Sequence, residues 1–187
     1  MRLKGLKPVR IATAFLITLA VLGGAAYGWR LASCDRPLIR SLGSLPGVEE
    51  VRLERAGSRG LLIYVNLGPV ADLRETYRAL EERTGAVLGD GRFELIIRDT
   101  RTPALVEVYH RLHFLVQEGL ETGRFADMDR RLEREVESLQ ALGRGPERYR
   151  VWVDDRHLYV ELHQGRSALY EVISRARAGP AEGGAEG

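Results

Sequence analysis

The chain has a single cysteine, Cys34, among its 187 residues. An intrachain disulfide is therefore excluded, and so are the paired-cysteine signatures of zinc and redox sites. Lysine is almost as scarce: Lys4 and Lys7 are the only two, and every later basic residue is arginine. Catalytic signatures are missing as well. There is no H-E-x-x-H, Ser167 in QGRSA lacks the G-x-S-x-G elbow, and no G-K-[ST] follows Gly89-Asp90-Gly91. Asp154-Asp155 stands in the turn VDDRH, where aspartate serves backbone hydrogen bonding. No nucleophile has a base beside it and no cofactor motif occurs, so the expectation is a protein without catalysis or cofactor.

Acidic residues are absent from positions 1–34, which carry Arg2, Lys4, Lys7, Arg10 and Arg30. The remaining 23 basic residues then face 26 acidic ones, a net charge of −3 for the body. A mildly acidic body has no electrostatic footprint for a phosphate backbone, so nucleic acid is not an expected partner.

What the chain does have is one long apolar run. Ile11 to Trp29 is 19 residues without a charge, about 28 Å as a helix and close to the hydrocarbon thickness of a bilayer. The basic residues before it place 1–10 in the cytoplasm and the body outside, at the plasma (inner) membrane of a bacterial envelope. Tyr27 and Trp29 stand at the outer end, at headgroup level. Length and aromatic end favour a retained single-pass anchor. Two other readings stay open: Leu31-Ala32-Ser33-Cys34 has the shape of a lipobox, with Cys34 the residue to be acylated, and Ala26-Tyr27-Gly28 has small residues where a signal peptide is cut. Ala20, Gly24 and Gly28 form a small-xxx-small row along which two anchors could pack, with Cys34 placed for an intermolecular disulfide.

The expected organisation is a basic tail at 1–10, a transmembrane helix at 11–29, a linker at 30–35, an extracytoplasmic α+β domain at 36–176 and a disordered tail at 177–187. Within the domain, 36–99 reads as αββαβ: a helix from Arg36 to Leu45, a hairpin alternating with period two on either side of Gly57–Gly60, a helix from Pro69 stopped at Gly85, and a strand from Arg92 to Asp99. Residues 102–142 read as a helical hairpin; Thr102 caps and Pro103 takes the first turn, with stripes through Leu105, Leu112 and Val116 and through Met128, Leu132 and Val136. Residues 148–176 read as ββα. LIYVNL resembles LHQ-preceding LYVEL closely enough to suggest that a ββα unit occurs twice, in one or two small sheets.

The order helix–strand–strand–helix–strand, entered through LPGVEEVRLE, is similar to the later part of a ferredoxin-like module. In heavy-metal-associated domains a phrase of the LPGV-x-x-V kind ends the first helix. Those domains hold metal through C-x-x-C before that helix; here Leu31 stands where a partner for Cys34 would be, so the resemblance implies the fold and not the metal. Ring-forming envelope modules, small αβ units on membrane anchors, are similar at the level of architecture.

Two clusters are candidate sites. Glu107, His110 and His113 are spaced by three on the first hairpin helix, so that His110 neighbours both others while the outer two diverge; they are the candidate metal ligands. His157, Tyr159, Glu161 and His163 share one face of the last pairing strand, with Trp152 on the strand beside it. That face is either covered by the helical hairpin or open as a partner surface. The leading expectation is a non-catalytic interaction or assembly module of an envelope complex, meeting a protein partner or further copies of itself.

Overall fold

The computed structural model describes residues 15–22, 35–57, 60–89 and 91–175. Its order is α1 (15–22), α2 (Arg36–Gly43), β1 (Val48–Arg55), β2 (Leu61–Leu67), α3 (Leu73–Leu88), β3 (Phe93–Arg98), α4 (Pro103–Thr122), α5 (Phe125–Ala141), β4 (Arg148–Val153), β5 (His157–Gln164) and β6 (Ser167–Ser174). The described residues form a mixed α+β structure with two small sheets and five helices. Among the described residues no helix is long and apolar enough to cross a membrane; of the run 11–29, only 15–22 are described. The expected tails at 1–10 and 177–187 lie outside the described residues.

β1 and β2 pair antiparallel, and β3 joins β2 in parallel after the α3 crossover. One face of this sheet, with Val51, Ile63, Val65 and Ile97, packs on α2 and α3. Gly47 makes the turn between α2 and β1 at φ 81°; a Cβ there would stand 2.4 Å from Val70 Cγ1, so the LPGV phrase needs glycine for both conformation and space. α3 begins later and ends later than its pattern suggests. Asp72 Oδ1 accepts from Glu75 N at 3.0 Å, capping the helix three residues after Pro69. The helix then runs through Gly85, since Leu80 and Thr84 bury fully against α2 and the sheet, and ends where Gly89 takes φ 57°.

The second sheet is an antiparallel meander, β4-β5-β6. The expected last helix is a strand. Leu169 and Ile173 are four apart and fit a helical stripe, but Gly165-Arg166 is a two-residue turn with Gly165 at φ 59°, and it sends 167–174 back along β5 with Gln164 opposite Ser167. Period two then governs: Ala168, Tyr170 and Val172 face one way, Leu169 and Ile173 the other. With this strand the ββα repeat disappears, because the second unit is βββ.

β5 lies between two cores. Leu158, Val160, Leu162 and Leu169 join Leu105, Leu112, Val116, Met128, Leu132 and Val136 of the α4–α5 hairpin. On the other face Tyr159, Ala168 and Tyr170 join the core of the first unit. The hairpin closes tightly: a Cβ on Gly119 would stand 2.3 Å from Met128 Sδ, so at this position α4 can approach α5 only as glycine. Gly123 ends α4 at φ 66°, its N–H bonded to Gly119 O.

Candidate functional site

The polar face of β5 is the richest cluster in the fold, and it is closed. Relative exposure is 8% at His157, 0% at Tyr159 and Glu161 and 7% at His163; only Trp152, at 38%, is left outside. As a partner surface His157, Tyr159, Glu161 and His163 are therefore corrected, Trp152 staying exposed, and the cover is not the helical hairpin. It is the loop entering α3. Glu161 Oε1 accepts from Leu73 N at 3.1 Å, at the positive end of α3. Tyr170 Oη accepts from Val70 N at 3.0 Å and donates to Gly68 O at 3.2 Å. Arg148 donates to Val70 O at 3.0 Å and Arg150 to Ala71 O at 2.7 Å. Five backbone groups between residues 68 and 73 are thus held by side chains of the second sheet. Arg148 Nη2 also lies 2.8 Å from His163 Nε2, which is 3.3 Å from Glu161 Oε2. Carboxylate and guanidinium both approach the imidazole at Nε2, which accepts from the guanidinium in one protonation state or donates to the carboxylate in the other. Glu161 also holds Leu73 N, and Arg148 also holds Val70 O.

A second group closes the other end of the same face. Asp154 Oδ1 accepts from the backbone N–H of Arg156 (2.9 Å) and His157 (2.8 Å), and Oδ2 from Tyr159 Oη (3.0 Å) and Arg78 Nη2 (3.1 Å). Burial pushes the Asp154 carboxyl up, but these four donors outweigh it and hold the group well below the ordinary carboxylate range. Tyr77 packs edge-on against His157 and Tyr159, with ring centroids 5.2 and 5.9 Å away. Desolvation, with the Glu81 charge, raises the Tyr77 hydroxyl to about 12, and burial and Asp154 raise Tyr159 further. Both phenols therefore stay protonated near neutral pH, Tyr159 as a hydrogen-bond donor to Asp154.

The free edge of β6 is closed by the loop after β3. Asp99 Oδ2 accepts from Tyr170 N at 2.7 Å, Thr100 Oγ1 accepts from Ala168 N at 3.1 Å, and Arg101 bridges Asp99 and Glu171. This removes an edge on which another strand could pair.

Among the described residues two cavities stand out. One of about 310 Å³ lies beside the α3 N-terminus, among Pro46, Pro69, Val70, Asp72 and Thr76. The other, about 460 Å³, is walled by Arg78, Glu81, Glu82, Asp154, Asp155, Arg156 and Phe93. Its central charges are already spoken for: Asp154 holds Arg78, and Glu81 holds Arg156 at 3.1 Å. Glu161, His163 and Arg148 line neither cavity, so the one buried carboxylate–imidazole pair has no substrate space there.

Glu107, His110 and His113 are not gathered. Glu107 pairs with Arg111 at 3.5 Å, His110 packs against Phe114 (centroids 6.1 Å apart), and His113 lies between Tyr109 and Phe114. Among the described residues no three His, Cys, Asp or Glu side chains come together as a set that could hold a metal ion. Of the small-residue row, Ala20 is exposed on α1, while Gly24, Gly28 and Cys34 lie outside the described residues.

Compared with known protein families, curated proteins and solved structures, the chain matches none. The latch formed by Arg148, Arg150, Glu161 and Tyr170 on residues 68–73 is absent from the sequence reading. Its one visible signal is the alternation of polar residues in HLYVELH, which on a solvent-facing strand would look the same.

Proposed function

We propose that the protein is a membrane-anchored, extracytoplasmic interaction or assembly module of a bacterial cell envelope, without catalysis of its own. The observation that carries this reading is α1. All eight residues, 15–22, are exposed, including Phe15 (66%), Ile17 (65%) and Leu22 (64%), and none belongs to either core. Seven of these eight residues are apolar, Thr18 being the exception. A helix so apolar around its circumference is suited to an apolar surrounding, as a charge-free run of this length with basic residues before it is suited to lipid. The titratable clusters of the body support the non-catalytic part, since they are spent on joining its two units. The order α2-β1-β2-α3-β3 on one small sheet is in keeping with a ferredoxin-like or ring-building unit, the kind of part that serves as a spacer or subunit in envelope assemblies.

The test is made on the full chain in a bacterial host. Membranes are washed with alkaline carbonate, and alkaline phosphatase is fused after the last residue. Retention in the pellet with an active fusion is the expected result. Release into the wash, or an inactive fusion on a folded chain, would overturn the reading. The mass of the mature protein with Cys34 intact and as Cys34→Ser then separates a retained helix from an acyl tether.

A further inference from the structure

α2 is the first element of the body after the apolar run, and it contains no acidic residue. Its inward residues Leu38 and Leu42 are fully buried in the core of the first unit. Arg36, Pro37, Ile39 and Arg40 are exposed, Ile39 to 40%. At about 100° per residue Arg36 and Arg40 stand in the middle of the outward arc, with Pro37 and Ile39 on either side of them. Elsewhere on the surface Arg78, Arg101, Arg131 and Arg156 each hold a carboxylate; among the described residues Arg36 and Arg40 hold none. The sheet end beside α2 is of mixed charge. Arg55 is bound there to Asp35 at 2.9 Å, and exposed Glu54 and Glu94 flank Leu62 in the next row of the sheet. The face of α2 is basic without such compensation.

We infer that the outward face of α2 lies on the phospholipid headgroups of the membrane that anchors the chain, with Arg36 and Arg40 on lipid phosphates and Ile39 at the acyl boundary. The inference rests on the anchored reading. The reach of the chain identifies the occupant. Trp29, at the outer end of the apolar run, is seven peptide bonds from Arg36, a span of at most about 25 Å when fully extended. An anchored chain therefore keeps α2 within that distance of the headgroups at all times. Docking is then an intramolecular event, for which a weak contact suffices. Charge selects the same face. The body carries a net −3, but charges more than about 10 Å from the contact are screened, so those on α2 decide, and both are positive. Each arginine brought to an anionic lipid surface favours the docked state about fivefold. A guanidinium matches phosphate with two parallel N–H groups, and a basic arc beside an apolar residue is the pattern of a helix that lies in the interface.

The experiment uses the full chain with Cys34→Ser and one new cysteine carrying a nitrobenzoxadiazole probe. It is reconstituted into vesicles of equal parts phosphatidylcholine and phosphatidylglycerol that contain a lipid spin-labelled at the headgroup as quencher. The probe at Ile39→Cys is expected to be quenched several-fold more than one at Arg134→Cys, on the exposed charged face of α5. Adding Arg36→Glu and Arg40→Glu should remove most of that difference while the thermal melt stays unchanged. Vesicles of phosphatidylcholine alone, or high salt, should weaken it with the chain itself unaltered. Equal quenching at 39 and 134 would mean that α2 does not rest on lipid and is open to a protein. Quenching at 39 that survives both the charge reversal and the loss of phosphatidylglycerol would mean that the tether alone brings the helix close. Either result overturns the inference. Flotation of the vesicles separates the two readings. A chain that floats with its probe at 39 unquenched sinks the lipid contact alone, whereas a chain left at the bottom of the gradient sinks the anchored reading and the contact with it.

Discussion

β2 and β5 are the central strands of two three-stranded sheets, and both alternate in the sequence. In β2 the inward residues Leu61, Ile63, Val65 and Leu67 are buried, while Tyr64 and Asn66 on the outer face stay partly open. In β5 seven of eight positions are buried, the polar ones included. Tyr159, Glu161 and His163 are not spared burial by their polarity; they are buried because each finds a partner on another element. A strand between two cores usually reads as a continuous apolar run. Here half of that run is replaced by polar side chains, of which Glu161 accepts from Leu73 N, 88 residues earlier, while Tyr159 donates to Asp154 and His163 meets Arg148. The first sheet is a half-buried sheet of the ordinary kind, and the second is the joint of the molecule.

That contrast is broken most severely on the apolar side of the joint. Leu158 is fully buried between β4, β6 and the hairpin, and Leu158→Ala is expected to lose about 2–5 kcal/mol of stability through lost transfer energy and the cavity left behind. Chemical denaturation of the full chain in detergent measures it. A loss below that of an ordinary surface change would mean that the hairpin does not seal this face.

The polar side comes next. Glu161→Ala removes the acceptor of Leu73 N and leaves His163 without its carboxylate neighbour, and a buried donor without an acceptor costs about 1–3 kcal/mol. Glu161→Gln keeps an oxygen for Leu73 N and should lose less than the alanine variant. If both lose nothing, residues 68–73 are held by Tyr170 and the arginines alone.

The pH dependence of Asp154 sharpens the same comparison. Its carboxyl is held lower in the folded protein than the ordinary value near 4 of an unfolded chain. The folded state therefore binds this proton less readily, so the stability it contributes is complete above about pH 4 and is lost as the pH falls through the folded value. Asp154→Asn should be less stable than wild type at neutral pH, and the gap should narrow under acid. Denaturation curves at a series of pH values would show it, and a constant gap would mean that the four donors do not favour the ionised form.

Most elements are legible from local signals: Thr102-Pro103 opens α4, Gly123 ends it, and the period-two runs give β1, β2 and β5. The boundary errors have local causes too. Asp72 outcompeted Pro69 as a helix start because its side chain reaches Glu75 N, and 168–174 was ambiguous because Leu169 and Ile173 satisfy both periods until the Gly165-Arg166 turn decides. The candidate sites were less legible, for a different reason. Burial of HLYVELH depends on Gly68–Leu73, separated from Glu161 by 88 residues and from Tyr170 by as many as 102. Pairing of that kind leaves no mark in the spacing of either segment. The Glu107–His110–His113 triplet was visible, but its meaning turns on Phe114, whose exposure no helical stripe reveals.

The smallest effect is expected on the open face of the first sheet. Arg98 lies over the Tyr64 ring at 4.6 Å, and on the second sheet Arg74 lies over Trp152 at the same distance. Each is a cation–π pair at a wet surface, worth about 0.5–1 kcal/mol. Tyr64→Ala and Arg98→Ala should each cost about that much, and the double variant little more than either alone, which a double-mutant cycle reads directly. Trp152 is the single member of the predicted partner face that remains outside, so the cycle on Arg74 and Trp152 is the matched control. Equal coupling in the two cycles would place the difference between the sheets entirely in what covers them. A much larger coupling at Trp152 would mean that the joint extends to the rim of the second sheet, and that Arg74 helps to close it.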